Sequence, residues 1–129
     1  MRFDLVDRVL EQSTDRIVTL KNVTAAEEYL QDHFPTFPVL PGVLMLECMV
    51  QAGRRLVGPD QPLVLGKVRA LKYGRFVRPG DSLVSIVTLN KAEPDGGFDL
   101  KGEARVGTPD GPVACSGRFT LRLFRPPSL

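Results

Sequence analysis

Gly42-Val43-Leu44-Met45-Leu46-Glu47-Cys48-Met49-Val50-Gln51-Ala52-Gly53-Arg54-Arg55 is the stretch that decides how this chain folds. Its apolar residues cover nearly the whole circumference of a helix. A helix that is apolar all round is normally buried. Pro41 stands just before it, and Gly58-Pro59-Asp60 ends it. What lies around it must therefore be able to wrap it.

The C-terminal half supplies strands. Leu63 to Leu71 reads as the first, and Asp81 to Lys91 as the next. Between them, Arg78-Pro79-Gly80-Asp81 has Pro and Gly at the corner positions of a turn. Asp95-Gly96-Gly97 is a hairpin signal. Phe98, Leu100, Gly102, Ala104 and Val106 then alternate with Asp99, Lys101, Glu103 and Arg105, the pattern of a half-buried strand. After Asp110-Gly111, Gly117, Phe119, Leu121 and Leu123 alternate with Arg118, Thr120 and Arg122.

Upstream, Phe3, Val6, Val9 and Leu10 recur at helical spacing and predict a short amphipathic helix. Ile17 to Val23 predicts a strand, followed by a short polar segment from Ala25 to Gln31. Pro35, Pro38 and Pro41 then make Asp32 to Pro41 a stiff, irregular loop. The expected architecture is α+β: an antiparallel sheet wrapped around a central helix, in one domain over residues 1–129. An open sheet edge would remain, which points to dimerisation through an edge strand.

Bulk composition narrows the function. The 129 residues are 43% hydrophobic and 25% charged, as expected of one soluble domain. A formal net charge of +2 gives no argument for nucleic acid. No apolar run approaches the roughly 20 residues that cross a bilayer, and no signal-peptide pattern opens the chain. The expectation is a cytoplasmic protein without nucleic-acid or membrane partners. Cys48 and Cys115 sit among apolar residues without metal-ligand spacing and read as buried free thiols. Lys67, Arg69, Lys72, Arg75 and Arg78 fall within twelve residues with no acid among them. They form either a solvated strand and turn or a dock for an acidic partner.

Two residues are candidates to carry chemistry, although a lone histidine is more often structural than catalytic. His33, the one histidine of the chain, heads the stiff loop His33-Phe34-Pro35-Thr36-Phe37-Pro38. An imidazole with a pKa of about 6.5 suits proton abstraction at neutral pH. Glu47 is the only charged residue between His33 and Arg54. Burying an unpaired carboxylate is costly. Either Glu47 reaches a polar edge, or burial favours its protonated form so that it serves as an acid. Gln51, one turn on, either orients that carboxylate or caps a polar patch. Gly42 opens the helix, where backbone N–H groups lack internal partners and carry partial positive charge. It is either an ordinary helix start or a donor site for a developing oxyanion.

The run from His33 through Pro41-Gly42 to Glu47 and Gln51 resembles the signature of the 3-hydroxyacyl-[acyl-carrier-protein] dehydratases of fatty-acid synthesis. The similarity extends upstream to Leu5-Val6-Asp7-Arg8-Val9 and Lys21-Asn22-Val23-Thr24. Downstream it runs through Arg75-Phe76-Val77-Arg78-Pro79-Gly80-Asp81 to the last strand. The resemblance implies a hotdog fold and a homodimer that shares its active sites, alone or as a trimer of dimers. It makes His33 the base and Glu47, from the neighbouring subunit, the acid. Gly42 becomes the donor to the thioester carbonyl, and the Val39 carbonyl the holder of the other histidine nitrogen. Gln51 lies close to the acid. The implied reaction turns a (3R)-3-hydroxyacyl thioester into a trans-2-enoyl thioester, with no metal or other cofactor. Phe37, Val39, Leu44 and Phe76 are candidates for the acyl tunnel. Lys72, Arg75 and Arg78 are the expected dock of the acidic acyl carrier protein.

Asp32 departs from the pattern, because this family usually has glycine before the histidine. An acid there either perturbs the base or alters the loop. Glu47 argues against the related dehydratase-isomerases, which carry aspartate. Three alternatives remain: an acyl-thioester hydrolase on the same fold, a dehydratase of a specialised lipid or polyketide pathway, and a non-catalytic carrier-binding subunit. The hydrolases often place a carboxylate on the central helix but lack this histidine–proline loop.

Overall fold

A computed structural model of the chain describes residues 4–24 and 39–124. Their elements run β1 (Arg8–Gln12), β2 (Arg16–Asn22), α1 (Gly42–Val57), β3 (Leu63–Tyr73), β4 (Ser82–Ala92), β5 (Phe98–Val106) and β6 (Val113–Leu123). The strands form one sheet in the order β1-β2-β4-β5-β6-β3, and every neighbouring pair is antiparallel. The helix lies against the sheet, with most of its contact on β4, β6, β2 and β5.

Side-chain alternation builds this layer. Leu100 and Ala104 of β5, and Cys115, Phe119 and Leu121 of β6, point inward and are fully buried. They meet Met45, Cys48, Met49 and Ala52 of α1 in one core. Two glycines let the layers approach. A Cβ on Gly102 would lie 2.7 Å from Met49 Sδ, and one on Gly53 would lie 3.3 Å from the Phe119 ring. Both cysteines are buried and in no disulfide.

The turns follow their sequence signals. Asp81 N–H donates to the Arg78 carbonyl at 2.9 Å, and the Asp81 carboxylate accepts the Arg78 N–H at 2.9 Å. Gly80 takes the positive φ of 96° that this turn needs.

Two expectations change. Among the described residues, 4–10 do not form the expected helix: Asp4 to Asp7 are irregular, and Arg8–Gln12 pairs with β2. Every residue of β1 is exposed, so it has no inward–outward alternation to leave in the sequence. The central helix is also not hidden all round. Val43 is 67% exposed, and Glu47, Gln51 and Arg54 are half-buried along the same stripe. Elsewhere the surprise is Asp99. It points away from the core yet is buried, because Arg69 Nη2 at 2.9 Å and Asn90 Nδ2 at 2.8 Å close over its two oxygens.

Candidate active site

The site is built at the start of α1. Val39 and Leu40 are fully buried, and the Leu40 N–H donates to the Val77 carbonyl at 2.7 Å. That bond ties the end of the proline loop to the segment between β3 and β4. No described residue donates to the Val39 carbonyl. The first turn of α1 has neither a capping side chain nor an acid. The Leu44 and Met45 N–H groups donate to the Pro41 carbonyl at 3.0 and 3.2 Å, which leaves those of Gly42 and Val43 without intrahelical partners.

A cavity of about 440 Å³ opens there, lined by Val39, Leu40, Gly42, Met45, Tyr73, Gly74, Arg75 and Phe76. Its lining is largely apolar, with one guanidinium at the rim. Of the expected tunnel residues, Val39 and Phe76 line it, whereas Leu44 packs against the core. Tyr73 comes from the far end of β3 and closes over Gly42. A Cβ on Gly42 would lie 2.8 Å from its ring. Burial raises the Tyr73 phenol above its usual pKa, and the neighbouring Cys115 adds to the rise. Burial pushes the Cys115 thiol up to about 11. Cys115 therefore stays protonated near neutral pH and is no nucleophile.

Glu47 lies one turn further along α1 and does not line this cavity. Its carboxylate is not sealed from water in the single chain. The side chain keeps 35% of its surface, and Arg54 Nη1 stands 3.7 Å from its Oε1. In the single chain Glu47 is thus a partnered acid on the half-exposed stripe of α1. Gln51 Nε2 donates to Glu47 Oε1 at 3.2 Å. In turn Gln51 Oε1 accepts the Leu5 N–H at 2.7 Å. His33, Asp32 and Phe37 lie outside the described residues.

Lys72, Arg75 and Arg78 are all exposed. Arg75 and Phe76 also border a second cavity of about 400 Å³, completed by Arg78, Asp81, Val106 and Pro112. The two cavities thus share a basic rim. Arg69 is engaged by Asp99 and does not add a free cation to that rim.

Tyr73 and Arg54 are the site residues that sequence reasoning passed over. Arg54 had a usable signal, since seven residues is about two helical turns from Glu47. Tyr73 had none. Bulges in β3 between Leu65 and Val68 and between Arg69 and Lys72 break the alternation that would have shown which way it faces.

A sheet wrapped on one helix, with an open first turn at an apolar cavity, is the hotdog arrangement. The dehydratase heterocomplex ApeI:P of Xenorhabdus doucetiae shares that fold. Its TM-score is 0.69 at 15% identity, covering 93% of this chain and 98% of that one. The model of the ApeI-like family, ApeI dehydratase, matches residues 9–109. The 3-hydroxyacyl-[acyl-carrier-protein] dehydratase FabZ of Polaromonas sp. is 46% identical over 128 residues, covering 92% of this chain and 86% of that one. That of Oenococcus oeni is 45% identical over 121 residues, covering 87% and 82%. The chain belongs to the 3-hydroxyacyl-[acyl-carrier-protein] dehydratase family. Among its described residues, no helix is long and apolar enough to cross a membrane.

Proposed function

We propose that this protein dehydrates (3R)-3-hydroxyacyl thioesters of acyl carrier protein to trans-2-enoyl thioesters, as a step of fatty-acid synthesis. The observation that carries the proposal is the open N-terminus of α1 at an apolar cavity, in a chain whose relatives carry that activity in their names. The cavity suits an acyl thioester, and the backbone at Gly42 suits its carbonyl.

In this mechanism His33 takes a proton from the carbon beside the thioester carbonyl. The electron pair moves toward the carbonyl oxygen, and the Gly42 N–H meets the developing charge. Glu47 gives a proton to the 3-hydroxyl, the C–O bond breaks, and water leaves. The new C=C bond takes the electron pair. The Val39 carbonyl, to which no described residue donates, holds the second imidazole nitrogen.

Glu47 acts in the site of the neighbouring subunit. Its place on the exposed stripe of α1, away from the cavity of its own chain, supports this reading. The long edge strand β3, with Val68 and Tyr73 exposed, supports a dimer through that edge. The acidic carrier docks on Lys72, Arg75 and Arg78, at the rim shared by the two cavities.

The test follows enoyl absorbance and free thiol together on 3-hydroxyacyl-carrier protein. Enoyl product without thiol is expected. Thiol release would mean hydrolysis, and binding without either product would mean a carrier-binding subunit. His33→Ala and Glu47→Gln should each lower kcat by about 10²–10⁴-fold with circular dichroism unchanged. Near-normal turnover in either variant sinks the assignment.

A further inference from the structure

Glu47 is held by one oxygen. Gln51 Nε2 donates to Oε1 at 3.2 Å, and Arg54 Nη1 lies 3.7 Å from the same atom. The Gln51 amide cannot turn round, because its own oxygen accepts the Leu5 N–H at 2.7 Å. No described residue contacts Oε2 within hydrogen-bonding distance.

Arg54 has an unusual posture. Its side chain is 37% exposed, yet its Nε is buried without a hydrogen-bond partner among the described residues. An arginine that only complemented the end of the helix dipole would turn Nε toward water. Arg55 shows that alternative. It sits in the same last turn, is exposed, and reaches Asp4 at 3.9 Å. Arg54 instead lies down along the helix toward Glu47, leaving a donor unmet.

We propose that Arg54 is a positioning residue which, with Gln51, clamps Oε1 of Glu47 and leaves Oε2 to carry and deliver the proton. This rests on the reading of Glu47 as the acid. The Gln51 N–H donates to Oε1 and the Arg54 charge lies nearest that same oxygen, so the protonated form carries its O–H on Oε2. When Oε2–H gives that proton to the leaving hydroxyl, the negative charge that appears on the carboxylate lies beside the Arg54 guanidinium. That attraction grows during the step and is weak before it, so it belongs to kcat and not to KM.

The experiment compares Arg54→Met, Arg54→Lys, Arg55→Met and Glu47→Gln in the dehydration assay, with a thermal midpoint for each. Arg54→Met should lose about tenfold to hundredfold in kcat, with KM within about twofold. Arg54→Lys, which keeps the charge, should recover most of that loss. Arg55→Met, which removes an equal helix-end charge, should keep the parent kcat. The proposal is overturned if Arg54→Met keeps its kcat, if Arg55→Met loses as much, or if the loss falls in KM. Should Arg54→Met not fold, Arg54→Gln carries the test under the same criteria. An inert Glu47→Gln with a fully active Arg54→Met removes the clamp alone. An active Glu47→Gln removes the acid assignment itself.

Discussion

Gly42 shows how much one missing methyl group decides. A Cβ there would enter the Tyr73 ring at 2.8–2.9 Å. Tyr73 is 53% exposed, so its ring can swing aside at little cost in stability. The cavity cannot ignore the intrusion, because Gly42 and Tyr73 line it together. Gly42→Ala should therefore keep its stability within about 1 kcal/mol. Displacing a bound carbonyl by about 1 Å should still cost about 100-fold in kcat. Thermal midpoint and kcat measured on one preparation check the split, and a parallel loss of both would contradict it. At this scale the sequence was most readable where chemistry depends on spacing along one helix. Gly42, Glu47 and Gln51 share α1, and the Glu47–Gln51 hydrogen bond follows from their separation by one turn. Tyr73 reaches the same site through sheet pairing, a relation that no local spacing records.

Whether an element could be read depended on how it buries its side chains. β5 and β6 show their alternation because one face meets α1 and the other meets solvent, so their residues sort by polarity. β1 has no buried residue, and its strand character comes from backbone pairing with β2. Val6, Val9 and Leu10 imitated a helical period there by accident of spacing. The stripe Val43–Glu47–Gln51–Arg54 was hidden for the opposite reason. Leu44, Met45 and Leu46 crowd the helix with enough apolar residues to mask one open face. One contact that anchors α1 against the sheet is Phe119, fully buried and packed on Gly53 and Gly102. Phe119→Ala should cost about 3–5 kcal/mol. That is a large share of the roughly 5–15 kcal/mol typical of a domain. Phe124→Ala, at a half-exposed ring, should stay within about 0.5 kcal/mol. Urea titration of both variants measures the contrast, and equal midpoints would show that α1 is anchored elsewhere.

On the scale of the whole molecule, the proposed mechanism requires Glu47 to meet the cavity. Within one chain, Glu47 stands on the exposed stripe of α1 while Gly42 faces the cavity. A two-fold dimer offers a simple route, since each chain then lends its Glu47 stripe to the other. This arrangement makes a sharp prediction about mixtures. In a dimer of one His33→Ala chain and one Glu47→Gln chain, one shared site receives both altered residues. The other receives an intact His33 and an intact Glu47. Random pairing of equal amounts puts about half the chains in such mixed dimers, with one working site of two. Co-refolded variants should therefore regain about a quarter of parental activity, although each alone is inert. If the acid and base came from the same chain, every site in the mixture would lack one of them. Activity that stays at the level of the single variants, with mixed dimers demonstrated by mass spectrometry, would place both residues in one subunit.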